Sequence, residues 1–208
     1  MKIAVFGGTG RTGQHLVDQA LQKGYQVQML ARTPSRMTIK SDRLTVIKGD
    51  VLALDRVKET IEETDVVLSA MGPTSNKPEY VMTGGFDNII AAMQEADIRR
   101  LIMATGAGVR DPQDKPGFID KLASLALNVF AKHVAQDSRQ AVAKVRATDL
   151  DWTIVRVPRL TDNPAKGSLK VGYVGDITPQ LTRADMAMFM LNQIEDDTWI
   201  GKAPAVSN

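Results

Sequence analysis

Seven residues near the start, Gly7-Gly8-Thr9-Gly10-Arg11-Thr12-Gly13, constrain this chain more than any other segment. They follow a short apolar run, residues 2–6, and precede residues 11–23, where Leu16, Val17, Ala20 and Leu21 repeat at helical spacing. A buried strand, a glycine turn and an amphipathic helix are the opening of a βαβ unit, whose two strands must lie parallel in one sheet.

The rest of the chain repeats that alternation. Strands are expected at residues 26–31, 44–47, 65–69, 100–103 and 152–157, with helices at 54–63 and about 79–96 between them. Gly24 is positioned to end the first helix. Six strands joined by helices fit a Rossmann-type, doubly wound, mostly parallel α/β sheet with helices on both faces. Residues 118–134 are apolar on nearly every side, which suits a core helix, a lid or a subunit interface. Gln136-Asp137-Ser138 reads as a break or a new helix cap before a mixed polar segment at 137–146. After Pro158 come a Pro/Gly/Asn-rich stretch, a short alternating strand at 168–174 and a helix at 183–194. The 208 residues are expected to form one domain, 1–208, with a small C-terminal extension over one edge.

Composition narrows the chemistry. With no cysteine there is no thiolate metal site, disulfide or sulfur nucleophile, so redox work needs a bound cofactor. The two histidines, His15 and His133, lie far apart in sequence, and no metal site is expected. Twenty-six basic and twenty-four acidic residues are interspersed without a basic stripe, which argues against nucleic acid as a partner. No apolar run is long enough to span a bilayer and no signal-peptide pattern opens the chain, so a cytoplasmic protein with no membrane partner is expected. Oligomeric state is not legible.

The spacing Gly7, Gly10, Gly13 after a strand and before a helix is that of a dinucleotide-binding turn. One glycine permits the sharp turn, another lets the backbone approach a pyrophosphate, and the third lets helix and strand pack closely. A glycine-rich turn with no ligand is the alternative. The dinucleotide's identity is read at the end of the second strand, where an NAD site places a carboxylate for the ribose hydroxyls. Here the sequence is Leu30-Ala31-Arg32-Thr33-Pro34-Ser35-Arg36. Arg32 and Arg36 can grip a 2′-phosphate, with Arg32 also able to stack on adenine and Ser35 adding a hydroxyl. NADP(H) is therefore expected over NAD(H), against the alternative of two solvated loop arginines.

The glycine turn, the Arg32/Arg36 pair, Gly49-Asp50-Val51, the segment Asp151-Trp152-Thr153-Ile154-Val155-Arg156, Pro158-Arg159-Leu160-Thr161-Asp162 and the closing Lys202-Ala203-Pro204-Ala205-Val206 together resemble the atypical short-chain dehydrogenase/reductases. Within them the chain is similar to the NAD(P)H-binding group that includes biliverdin reductase B, also called flavin reductase. The resemblance implies that Thr9, Gly10, Arg11 and Thr12 wrap the pyrophosphate and that Arg32, Ser35 and Arg36 clamp the 2′-phosphate. It implies that Asp50 and Val51 meet the adenine. Ala70, Met71 and Gly72 would flank the ribose, and Ala104, Thr105 and Gly106, placed after the fifth strand, the nicotinamide. The chain departs from the flavin reductase pattern at Gly106, where that group has serine, and at Arg159, where it has histidine.

Ordinary short-chain dehydrogenases use a Tyr-x-x-x-Lys pair. Tyr25, Tyr80 and Tyr173 are followed four residues later by Met29, Gly84 and Ile177, so no such pair exists. Flavin or quinone reduction demands less, because hydride passes to an electron-poor ring and the proton can come from solvent. A substrate pocket is expected from Met71, Phe118, Leu122 and Arg159. Arg159 is a candidate for a catalytic role, with an ion pair to Asp162 or another loop carboxylate as its alternative, while His133 reads more as a packed or helix-surface residue than as a general acid. The Gly-x-Ser-x-Gly elbow of a hydrolase is absent. The expected function is NADPH-dependent reduction of a flavin or quinone; the competing reading is a dinucleotide sensor or regulatory protein without turnover.

Overall fold

A computed structural model describes residues 1–73, 76–117 and 131–208. Five strands run in the expected order: β1 (Lys2–Phe6), β2 (Gln26–Ala31), β3 (Leu44–Lys48), β4 (Val66–Ser69) and β5 (Arg100–Gly106). The helices between them are α1 (Arg11–Gln22), α2 (Leu54–Ile61) and α3 (Val81–Glu95). Then come α4 (Lys132–Arg146), β6 (Asp151–Val157), three short strands β7 (Arg159–Thr161), β8 (Lys170–Gly172) and β9 (Gln180–Thr182), α5 (Arg183–Asn192) and β10 (Ala205–Ser207).

The main sheet has the order β3-β2-β1-β4-β5-β6-β10-β8. Its first six strands are parallel and carry the doubly wound 3-2-1-4-5-6 order. The sheet is thus eight strands wide where six were expected, because the chain's end adds β10 parallel to β6 and β8 antiparallel to β10. Strands β7 and β9 pair separately. Alternate residues of one strand feed two cores. Ile3 and Val5 pack with α1 and α5 on one face, while Ala4 and Phe6 pack with α2, α3 and α4 on the other. This explains why β1 and β4 are almost continuously apolar, since both faces of each strand are covered.

Three expectations are corrected. Strand β5 runs on to Gly106, so Ala104, Thr105 and Gly106 belong to the strand and pair with Val155, Arg156 and Val157 instead of following it. No break occurs at 136–138. Helix α4 is continuous there, and the buried Asp137 carboxylate accepts the N–H groups of Met82 (3.0 Å) and Thr83 (2.8 Å), capping α3 in place of its own helix. The expected strand at 168–174 shrinks to the three residues of β8. The expected apolar helix at 118–134 falls outside the described residues up to 130. Among the described residues no helix is long and apolar enough to cross a membrane.

Candidate functional site

The glycine turn owes its shape to two contacts that only glycine permits. Gly7 has φ +80°, and a Cβ there would lie 2.7 Å from the Met71 nitrogen, so the turn packs directly on the chain leaving β4. A Cβ at Gly13 would lie 2.0 Å from the Gly7 carbonyl oxygen, which is how α1 sits flush against the turn. The Gly10 N–H closes the turn onto the Gly7 carbonyl at 3.0 Å. Helix α1 begins at the next residue with its N-terminus toward the carboxyl edge of the sheet.

Against this turn lies a cavity of about 560 Å³. Phe6, Gly7, Thr9 and Gly10 form its floor at the end of β1, and Leu30, Ala31, Arg32, Thr33 and Arg36 rise from the end of β2. Gly49, Asp50 and Val51 come from β3, Ala70, Met71 and Gly72 from β4, and Val81 and Met82 from the start of α3. Every wall but the last leaves the carboxyl end of a parallel strand, the edge at which open α/β sheets bind ligands. The Asp50 carboxylate uses Oδ1 to accept the Leu52 N–H at 2.9 Å, which fixes the side chain at the cavity wall.

Of the residues expected at a dinucleotide site, Gly7, Thr9, Gly10, Arg32, Arg36, Asp50, Val51, Ala70, Met71 and Gly72 are thus brought together. Others are not. Thr12 and Gly13 are buried in α1 behind the turn, and Ser35 lies in a short 3-10 turn off the cavity wall, where Thr33 stands instead. The Arg11 guanidinium turns away to Asp162 at 3.0 Å, a carboxylate that Arg183 also holds at 2.7 Å. Asp162 is therefore not the partner of Arg159, which is exposed on β7 and forms no ion pair among the described residues. Ala104, Thr105 and Gly106 are absent from the wall. Phe118 and Leu122 lie outside the described residues.

Phe6, Leu30, Ala31, Thr33, Gly49, Val81 and Met82 are wall residues that sequence reasoning missed. Position at a strand end could have found the first five. Val81 and Met82 carry no local signal, because Asp137 of α4 sets the start of α3.

The cavity fits a dinucleotide. Phosphate oxygens can approach a turn without side chains at Gly7 and Gly10, two guanidiniums meet a further phosphate, and a Cβ at Gly72 would touch none of the described residues within 4 Å. Two buried hydroxyls, Ser69 Oγ and Thr105 Oγ1, also lack a hydrogen-bond partner among the described residues at the carboxyl ends of β4 and β5. Among the described residues no group of three or more acidic or histidine side chains could hold a metal ion.

A doubly wound sheet with this turn and this cationic cavity defines a dinucleotide-binding α/β protein of Rossmann type. The chain belongs to the NAD(P)H-binding family, whose model matches residues 7–197. NADP(H), the cofactor expected from the sequence, is of the class this family binds.

Cinnamoyl-CoA reductase 1 of Petunia hybrida is 27% identical over 78% of this chain, which spans 55% of that protein's length. Among solved structures, the oxidoreductase ylbE from Lactococcus lactis superposes with a TM-score of 0.85 at 22% identity, covering 100% of this chain and 91% of that one. A short-chain dehydrogenase/reductase from Veillonella parvula, solved in complex with NADP, gives a TM-score of 0.84 at 21% identity over 100% of this chain and 94% of that one. These likenesses show a shared Rossmann-type fold; the short-chain reductase and flavin-reductase readings are part of the proposal that follows.

Proposed function

We propose that the chain is a cytoplasmic, NADPH-dependent reductase that delivers hydride to a planar, electron-poor acceptor of the flavin or quinone type. The observation that carries the choice of NADPH is the end of β2. Arg32, Thr33 and Arg36 line the cavity there, and no carboxylate stands among them to accept ribose hydroxyls. Two guanidiniums suit a 2′-phosphate, and a carboxylate would repel it.

When bound, the nicotinamide ring supplies the hydride. The chain's own residues do the rest by holding and shielding. Gly7, Thr9 and Gly10 present a bare turn to the pyrophosphate, with the start of α1 adding its dipole. Asp50, its Oδ1 engaged by Leu52, keeps Oδ2 for the adenine amino group. Met71, Val81 and Met82 give an apolar wall that excludes water. With no Tyr-x-x-x-Lys pair in the sequence, the acceptor's proton comes from solvent. On this reading Arg159 faces negative charge on the reduced acceptor.

The test is loss of NADPH absorbance with FMN, riboflavin or a simple quinone as acceptor. Each charge-assisted hydrogen bond is worth roughly 1.5–3 kcal/mol. Arg32→Ala with Arg36→Ala should therefore raise KM for NADPH by about a hundredfold or more, leaving kcat and the NADH parameters nearly unchanged. An NADH preference insensitive to both changes would refute the assignment. Tight NADPH binding without turnover on any acceptor would make the protein a dinucleotide sensor.

A further inference from the structure

Arg11 is the first residue of α1 and directly follows Gly10, yet the cavity wall that takes Thr9 and Gly10 leaves it out. Its guanidinium lies instead on Asp162, the residue after β7, with Nη1 3.0 Å from Oδ2. The two oxygens of that carboxylate serve unequal partners. Oδ1 accepts at 2.7 Å from Arg183, whose side chain is 9% exposed, whereas the Arg11 side chain is 72% exposed. A buried guanidinium stripped of its counter-charge is costly, so Arg183 fixes Asp162 in place. The Arg11 arm of the bridge faces solvent, and pairs of that kind are weak and screened.

The start of α1 is also short of negative charge. Its first turn holds no acidic residue, and Gly10 provides no capping side chain. Helices α2 and α5 each carry an aspartate in that turn, Asp55 and Asp185, and α3 receives the Asp137 carboxylate. Arg11 adds a positive charge at the positive end of the helix dipole, where anions are favoured and cations are not. Asp162 meets part of that demand from outside the helix, with one carboxylate shared between two guanidiniums.

We propose that Asp162 competes with the dinucleotide's pyrophosphate for the Arg11 guanidinium, and that this carboxylate thereby sets how tightly the cofactor is held. Pyrophosphate at the glycine turn offers Arg11 two anionic groups in place of one carboxylate oxygen. Paired hydrogen bonds from a guanidinium to phosphate are stronger than a single exposed ion pair. Arg11 is long and exposed, so rotation of its side chain exchanges one partner for the other, while Arg183 keeps Asp162 where it is. Asp162 is thus a positioning residue that acts on the cofactor only through Arg11. The inference rests on dinucleotide binding in the cavity and is independent of the acceptor.

The experiment is calorimetric titration of the full chain with NADP⁺ and, separately, with 2′-AMP, which keeps the adenosine 2′-phosphate and lacks the pyrophosphate. Arg11→Gln should weaken NADP⁺ binding about tenfold. Asp162→Asn should tighten it about two- to fivefold, the worth of an exposed ion pair. In the Arg11→Gln background, Asp162→Asn should change NADP⁺ affinity by less than about twofold. Binding of 2′-AMP should stay within about twofold in all three variants. A purely structural role for Asp162 would weaken both ligands together and would persist without Arg11. Asparagine keeps an acceptor for Arg183, and circular dichroism at the titration temperature verifies the fold; the Arg11→Gln comparison of the two ligands stands without any change at Asp162. Unchanged NADP⁺ affinity in Arg11→Gln, equal losses for both ligands, or weaker NADP⁺ binding by folded Asp162→Asn would overturn the proposal and leave the Arg32/Arg36 assignment intact. Wild-type protein that fails to bind NADP⁺ would overturn both.

Discussion

Replacing Asp114 with asparagine should destabilise the protein by about 3–5 kcal/mol, the usual cost of stripping one partner from a buried ion pair. Arg156 is fully buried and the Asp114 side chain is 4% exposed. The two carboxylate oxygens meet the guanidinium at 2.7 Å each and also accept the N–H groups of Asp111 (2.8 Å) and Val174 (3.0 Å). The guanidinium completes its bonding on the carbonyls of Ala203 (2.7 Å) and Val109 (3.2 Å). Asparagine keeps the volume but leaves the buried positive charge uncompensated, and its amide turns a donor toward groups that are themselves donors. For a chain of this size the loss corresponds to a fall in Tm of roughly 6–20 °C. Urea unfolding followed by the fluorescence of Trp152 and Trp199 should show a lower midpoint at an unchanged slope. Replacing both charges together, Asp114→Leu with Arg156→Met, should give a protein more stable than the single variant.

Acid adds a second check on the same pair. Burial alone would raise the Asp114 pKa, but the Arg156 guanidinium and the Asp111 and Val174 N–H groups outweigh it and hold the carboxyl below its ordinary 3.8. A carboxyl whose folded pKa is depressed stabilises fully above the unfolded value and loses that contribution as pH falls through the folded one. The gap between wild type and Asp114→Asn should thus be constant near neutrality and narrow below about pH 4. A loss under about 1 kcal/mol at pH 7, the range of solvent-screened surface pairs, would refute the reasoning.

Two glycines should respond oppositely to alanine. Gly13→Ala would drive a Cβ to 2.0 Å from the Gly7 carbonyl oxygen, backbone against backbone, and should cost about 3 kcal/mol or more in chemical denaturation. Gly72→Ala meets no atom of the described residues within 4 Å, so stability should stay within about 0.5 kcal/mol while NADP⁺ affinity, measured by calorimetry, falls because the methyl enters the cavity wall. Asp137→Ala removes the cap of α3 and leaves buried N–H groups unpaired. It should cost about 2–3 kcal/mol and weaken NADP⁺ binding as well, since Val81 and Met82 stand on that helix start.

Much of the scaffold was legible along the chain. The apolar run of β1, the stripe of α1 and the three glycines are local patterns, and each is dictated by residues within a turn or a strand of one another. Arg32 and Arg36 followed from their place at the end of a strand, because a parallel sheet brings all its carboxyl ends to one edge, while Asp50 and Met71 came with the family resemblance.

What the sequence left open was every choice settled by a distant partner. Ala104, Thr105 and Gly106 look like loop, yet β6 supplies a ladder that holds them as strand. Asp137 looks like a helix break, yet its carboxylate is used by α3, 54 residues away. Arg156 sits in a recognisable segment, but its burial depends on Asp114, 42 residues earlier, and on the distant carbonyls of Ala203 and Val109. Local periodicity determined the elements and the binding edge. Tertiary structure decided which polar groups are satisfied, because a buried charge is tolerated only where the fold delivers its counter-charge and hydrogen-bond partners, and that delivery has no signature in the neighbouring residues.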